Sequence, residues 1–197
     1  MSDDVEQGIA FFEQQTATPK VLGFQYLRVM AAAALTFAAM APKRDLEAQQ
    51  LLCIGLGSGA LPGFLSLHLP SACVNVVEID PVVVRAARRE LACHFRVVGE
   101  GVPAEGGDGG AGEAGYCVTV GDAAEYVRRL AAMGRRALSA EEKGDSEDAA
   151  GEGNVSAIFL DAFDRSGETP SHLLGESFLQ ASRMGRAAPA APAAPAA

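Results

Sequence analysis

"LLCIGLGSGALPG", residues 51–63, carries an unbroken apolar run into a turn with glycines at 55, 57 and 59, followed by Ala60, Leu61 and Pro62. A short continuous apolar run that stops at glycine is the pattern of a strand buried on both faces. A helix can begin straight afterwards, because a proline in the first helical turn loses an N–H that has no partner there. Strand, glycine turn and helix in that order let a ligand lie against bare backbone at a helix N-terminus. The spacing satisfies G-x-G-x-x-A through Ala60, which fits more than one class of nucleotide. A tight turn without a ligand fits it as well.

Outward from this turn the chain alternates. Residues 22–40, rich in Ala, Leu and Met with Pro42 just beyond, predict a helix leading into the core. Downstream, residues 60–68 predict a helix, "ACVNVVEID" a second buried strand, and Pro81 opens a helix over "PVVVRAARRELACHF". "YCVTVGDA" reads as a third strand, "AAEYVRRLAAM" as the helix after it, and "NVSAIFLDAFD" as a fourth strand ending in acids. Strands of about six residues alternating with helices mean a parallel sheet with helical crossovers. The expected class is α/β, a doubly wound, mostly parallel Rossmann-like sheet of about four strands in the order third, second, first, fourth.

Two stretches break the rhythm, residues 99–115 and 139–154. Both are Gly, Ala and acid with almost no large apolar side chain. Such segments bury too little surface to offset the entropy of ordering, and they are expected to be disordered insertions in surface loops. The final residues 185–197 place Pro every third position among alanines, which favours extended, solvated chain. The expected organisation is an N-terminal segment 1–20, one folded domain 21–184 and a disordered tail 185–197.

Composition narrows the partners. With 197 residues and 49% hydrophobic content, one domain with a sizeable core is expected. A formal net charge of −9 argues against general affinity for nucleic acid or anionic membrane, since both need clustered Lys and Arg. Residues 29–41 form an apolar run too short for a membrane span, and the preceding "MSDDVEQG" is acidic where an export signal would be basic. The four cysteines, Cys53, Cys73, Cys93 and Cys117, show no metal-ligand spacing and read as reduced thiols, so no metal is expected. An intracellular, cytoplasmic protein follows. His68, His94 and His172 are scattered and read as surface or satisfied histidines.

Chemistry is expected where the strands end. Glu78 stands at the end of the second strand, where a carboxylate can accept hydrogen bonds from both ribose hydroxyls. Asp122 ends the third strand and Asp161 the fourth. Any one of these acids reads more simply as a loop residue or helix cap. Together with the glycine turn they converge on the crevice where open α/β sheets bind ligands.

The series "LLCIGLGSGALPGFLSLHLPSACVNVVEIDPVVV", "VTVGDAAEYV", "AIFLDAFD" and "ESFLQ" resembles the class I S-adenosylmethionine-dependent methyltransferases, in their spermidine-synthase-like branch. The resemblance covers roughly residues 20–182 apart from the insertions. It implies S-adenosyl-L-methionine as cofactor, with Gly55, Gly57 and Gly59 beneath its methionine part, Glu78 on the ribose and Ile79 against adenine. It further implies that Asp122, with Ala123 beside it, meets the adenine amino group and that Asp161 sits beside the reacting end as the catalytic residue. A nicotinamide site does not call for "GDA" after the third strand, so NAD becomes a minor alternative.

The branch holds two chemistries. Aminopropyltransferases carry an Asp inside the glycine turn and an Asp-x-x-Asp after the fourth strand that binds amines. Here Ser58 stands in the turn, while Asp161 and Asp164 reproduce the second pair, with Asp164 as the substrate-binding member. Methyl transfer to an amine of a protein or small molecule is favoured; aminopropyl transfer in polyamine biosynthesis is the alternative, and a non-catalytic binding or interaction protein a further one. Tyr26 is a candidate lid residue. The family sheet has seven strands, so the fourth strand here is expected to present an open edge that a second copy could cover as a homodimer. Cofactor binding is accordingly expected to be more secure than catalysis.

Overall fold

The computed structural model describes residues 12–13, 16–17, 21–40, 49–98, 115–141, 155–164 and 166–184. Strands β1 (Phe12–Glu13) and β2 (Thr16–Ala17) pair antiparallel ahead of the main domain. Next come α1 (Gln25–Met40), β3 (Gln50–Ile54), α2 (Ala60–His68), β4 (Cys73–Glu78), α3 (Pro81–Arg89) and β5 (Arg96–Val98). The chain continues with β6 (Cys117–Val120), α4 (Ala123–Glu141), β7 (Ala157–Leu160), a 3-10 turn at Ser171–Leu173 and α5 (Glu176–Met184).

Five strands, β3 to β7, form one sheet in the order β5-β6-β4-β3-β7, and every pairing in it is parallel. The expected order of four strands is therefore found as β6-β4-β3-β7. The strand count needs correction, because β5 joins the sheet outside β6. Its three residues follow directly on a stretch where a helix through Phe95 was expected. The helix stops at Arg89 instead. Ala92 turns the chain at a φ of 49°, Leu91 and Cys93 donate back to the carbonyls of Ala86 and Ala87, and Phe95 is buried against the ring of Tyr116. Burying that phenyl ring and pairing the next three residues outweighs continuing an exposed helical turn.

β3 is the centre of the core. Leu51, Leu52, Cys53 and Ile54 are all at most 1% exposed. Alternation sends Leu51 and Cys53 to one face, with α1, α2 and Val84 and Ala87 of α3, while Leu52 and Ile54 face α4 and α5. Each fully buried Leu or Ile contributes roughly 1.5–3 kcal/mol. α1 presents Leu27, Ala31, Ala34 and Ala38 to the first face, at the i, i+4, i+7, i+11 spacing of one helical stripe.

After β3 the chain steps outward through β4 to β6 and then returns to place β7 on the other side of β3. That reversal opens a crevice at the carboxyl ends of β3 and β7. Among the described residues β7 pairs only with β3, so its outer side is an open edge. No described helix is long and apolar enough to cross a membrane. Residues 139–141 belong to α4, which corrects the start of the second expected insertion; residues 99–114, 142–154 and 185–197 lie outside the described residues.

Candidate functional site

The crevice is a cavity of about 430 Å³, within the range of small-molecule sites. It brings together Gly55, Gly57, Glu78, Ile79, Asp122, Ala123, Asp161 and Asp164 of the expected residues, and Tyr26 and Ser58 with them. Gly59 does not line it; it underlies the turn from behind.

The glycine turn is held by its surroundings. Gly55, Gly57 and Gly59 have φ values of 96°, 50° and 72°, a region that side chains rarely enter. A Cβ at Gly59 would stand 2.8 Å from both the Cys93 sulfur and the Tyr116 hydroxyl. The Cys93 thiol also donates to the Ser58 carbonyl at 3.3 Å, so the loop rests directly on that sulfur. α2 starts at once behind Gly59, with Pro62 inside its first turn.

Glu78 is 7% exposed, and both of its oxygens are engaged. Oε2 accepts from the backbone N–H of Leu56 at 2.9 Å, and Oε1 accepts from that of Asp80 at 2.9 Å. The acid thus ties the glycine turn after β3 to the turn after β4. Each oxygen keeps one further lone pair for a ligand hydroxyl on the pocket side. Asp80 then caps α3, its Oδ1 accepting from Val82 at 2.7 Å.

Asp122 is a helix cap as well as a pocket residue. Its Oδ1 accepts from the Glu125 N–H at 2.8 Å at the start of α4, and its Oδ2 faces the imidazole Nε2 of His172 at 3.8 Å. Ile79 is 66% exposed and flanks the opening, whereas Ala123 is buried. At the neighbouring Gly121, another lining residue, a Cβ would meet nothing within 4 Å.

Asp161 sits at the end of β7. Burial raises its carboxyl to about 6, while a hydrogen bond from Tyr26 pulls the other way. Its Oδ1 is buried without a hydrogen-bond partner. The Tyr26 hydroxyl is itself pushed up to about 12, by burial first and the Asp161 charge second. The Tyr26 ring stacks on Phe24 at 5.7 Å and meets Phe163 edge-on at 6.1 Å, so aromatic rings flank the side chain that neighbours Asp161.

Asp164 has a different character. Its Oδ1 accepts from the Ser166 hydroxyl, the Ser166 N–H at 2.8 Å and the Glu168 N–H at 3.2 Å. These bonds hold its carboxyl below the usual range and tie Asp164 to Ser166 and Glu168. Any ligand contact from Asp164 falls to Oδ2.

His172 and Asp80 are pocket residues that sequence reasoning missed. His172 enters the lining with Pro170 and Leu173 because the segment after Asp164 folds back over the start of α4. No local pattern marks that approach across fifty residues of chain. Among the described residues no group of His, Cys, Asp and Glu could hold a metal ion.

No family model matches the chain. A polyamine aminopropyltransferase of Vibrio vulnificus is 30% identical over 172 residues, covering 87% of this chain and 42% of that protein. An eEF1A lysine and N-terminal methyltransferase homolog of Drosophila melanogaster is 46% identical over 48 residues, covering 24% of this chain and 7% of that protein. Among solved structures, a probable spermidine synthase from Corynebacterium glutamicum shares the fold at a TM-score of 0.59 and 19% identity, covering 86% of this chain and 46% of that one. Human methyltransferase-like protein 13, in complex with SAH, shares it at 0.55 and 22%, covering 82% and 60%. The chain spans less than half the length of these curated relatives.

Proposed function

Since the chain is similar to the class I S-adenosylmethionine-dependent methyltransferases of the spermidine-synthase-like branch and shares their fold, we propose that its pocket binds S-adenosyl-L-methionine and supports methyl transfer to an amine. The observation that carries this reading is the charge of the lining. Glu78, Asp80, Asp122, Asp161 and Asp164 face the cavity, with His172 as the one basic side chain among the described lining residues and no Lys or Arg. A sulfonium or ammonium centre is favoured in such a field; a dinucleotide pyrophosphate finds no cation there.

The residues present fit that cofactor. Gly55 and Gly57 offer backbone against which a methionine part can lie. Glu78 has acceptor capacity for ribose hydroxyls, Ile79 and the space beside Gly121 and Ala123 suit a flat base, and Asp122 Oδ2 can accept from an exocyclic amine. When bound, the cofactor supplies an electrophilic carbon on a positively charged sulfur. The chain's own part is alignment and a negative field. Asp161 lines the cavity, and its carboxylate can take a hydrogen bond, and then a proton, from an attacking amine. With its carboxyl near 6 it is largely ionised at neutral pH and still basic enough to receive that proton. The Tyr26 hydroxyl neighbours that carboxylate.

Aminopropyl transfer is the second reading, favoured by the Asp161 and Asp164 pair and by the relative that is a polyamine aminopropyltransferase. Ser58 in the glycine turn weighs toward methyl transfer. Calorimetry with S-adenosylmethionine, its decarboxylated form and NAD separates the readings. Heat with the first alone supports methyl transfer, heat with the second alone supports aminopropyl transfer, and no heat with any supports a non-catalytic interaction protein. The four thiols, none of them in a disulfide, support an intracellular setting. A homodimer pairing two β7 edges is proposed with it, to be tested by sedimentation; a monodisperse monomer would refute it.

A further inference from the structure

Asp122 carries the base-recognition role in the reading above, yet its free oxygen is not alone. His172 Nε2 lies 3.8 Å from Asp122 Oδ2, too far for a direct hydrogen bond and close enough for both atoms to reach a single nitrogen placed between them. Both side chains line the cavity, and His172 is about half exposed toward it. Asp122 Oδ1 is committed to the Glu125 N–H, so Asp122 presents one oxygen to the pocket.

An exocyclic amine carries two hydrogens and needs two acceptors when it is desolvated. Asp122 Oδ2 supplies one. A neutral imidazole with its proton on Nδ1 supplies the other through Nε2.

Among the described residues, several neighbouring charges are engaged elsewhere. On α4, Arg128 donates to its own helix at the Ala124 carbonyl, and Arg129 faces Glu125 at 4.0 Å. On α5, Glu176 accepts from Gln180 at 3.0 Å, and Arg183 lies at the far end of that helix. Asp164 is engaged by Ser166 and Glu168 in its own turn. The N-terminal end of α4 favours the Asp122 carboxylate, which caps it.

Resting on the adenosyl reading, we infer that His172 is a base-selecting residue of the pocket, a second acceptor that together with Asp122 picks a nucleobase bearing an exocyclic amine over one bearing a carbonyl. Selection of this kind is strong because the wrong base leaves two acceptors facing an acceptor.

The test is calorimetric titration of the full chain with S-adenosylhomocysteine and with S-inosylhomocysteine, which differ at the C6 substituent and in the N1 proton that accompanies the carbonyl. The ratio of the two affinities cancels any contribution of Asp161, since both ligands carry the same sulfur end. The wild-type chain is expected to prefer the adenosyl ligand by roughly tenfold or more. His172→Ala is expected to lose most of that preference. His172→Gln, which keeps an acceptor, is expected to hold it. A His172→Ala ratio equal to wild type, or a His172→Gln ratio as low as that of His172→Ala, overturns the role of His172 alone. No binding of either ligand by the wild-type chain overturns the adenosyl reading and this inference together.

Discussion

Gly55 and Asp161 lie so close that a Cβ on Gly55 would stand 2.1 Å from the Asp161 carbonyl oxygen. The two residues end adjacent parallel strands, and the Asp161 N–H donates to the Ile54 carbonyl at 2.8 Å, which draws the end of β7 over the glycine turn. The glycine turn and the acid proposed for chemistry are therefore one mechanical unit. Gly55→Ala must separate them and also adopt a φ near 96°. The expected loss is about 2–4 kcal/mol of stability, read as a fall in urea midpoint. Ligand affinity should fall in parallel. A folded variant of unchanged midpoint would show that the strand ends are looser than this contact requires.

Glu78 is expected to matter twice. In Glu78→Gln the amide keeps one acceptor and turns an NH₂ toward either Leu56 N–H or Asp80 N–H. Leaving one buried donor unpaired costs about 1–3 kcal/mol. Thermal melts should report that loss, and calorimetry should show affinity for S-adenosylmethionine reduced tenfold or more. Unchanged affinity in a destabilised protein would assign Glu78 to the loop alone.

Much of this arrangement was legible in the sequence because its signals are local. The apolar runs at 51–54, 73–77 and 157–160 can be buried only as strands, and each stops at a glycine or an acid that the sheet then places in one crevice. β5 was not legible, because three residues carry no periodicity and Ala92 takes its positive φ with none of the residue types that announce one. His172 was hidden for another reason. Its meaning comes from Asp122, on another element. Asp122 and Asp164 show the limit from the other side, since the simple readings as cap and loop residue also hold in the structure.

Asp161 should leave a signature in stability against pH. Its folded carboxyl, raised to about 6, binds a proton more tightly than an unfolded aspartate near 3.9. The folded state therefore holds more protons between these values, and stability falls as pH rises through about 6. Asp161→Asn removes the ionisation and can still accept from Tyr26. The variant should be more stable than wild type at pH 7.5 by about 1–2 kcal/mol, less than the full shift implies because the cavity opens to water. The gap should close toward pH 4.5. Turnover should drop far more than cofactor affinity; equal loss of both would argue against a role at the reacting end.

Asp122 allows its two duties to be separated. Asparagine is as good an N-cap as aspartate, whereas alanine offers no acceptor to the Glu125 N–H. Asp122→Ala is expected to lose about 1 kcal/mol of stability, and Asp122→Asn almost none. Both remove the carboxylate from the pocket. If that charge holds the base, the two variants should share a similar loss of affinity for S-adenosylhomocysteine despite their different melting temperatures. If affinity instead tracks stability, with the Asn variant binding like wild type, Asp122 acts on the ligand only by building the start of α4.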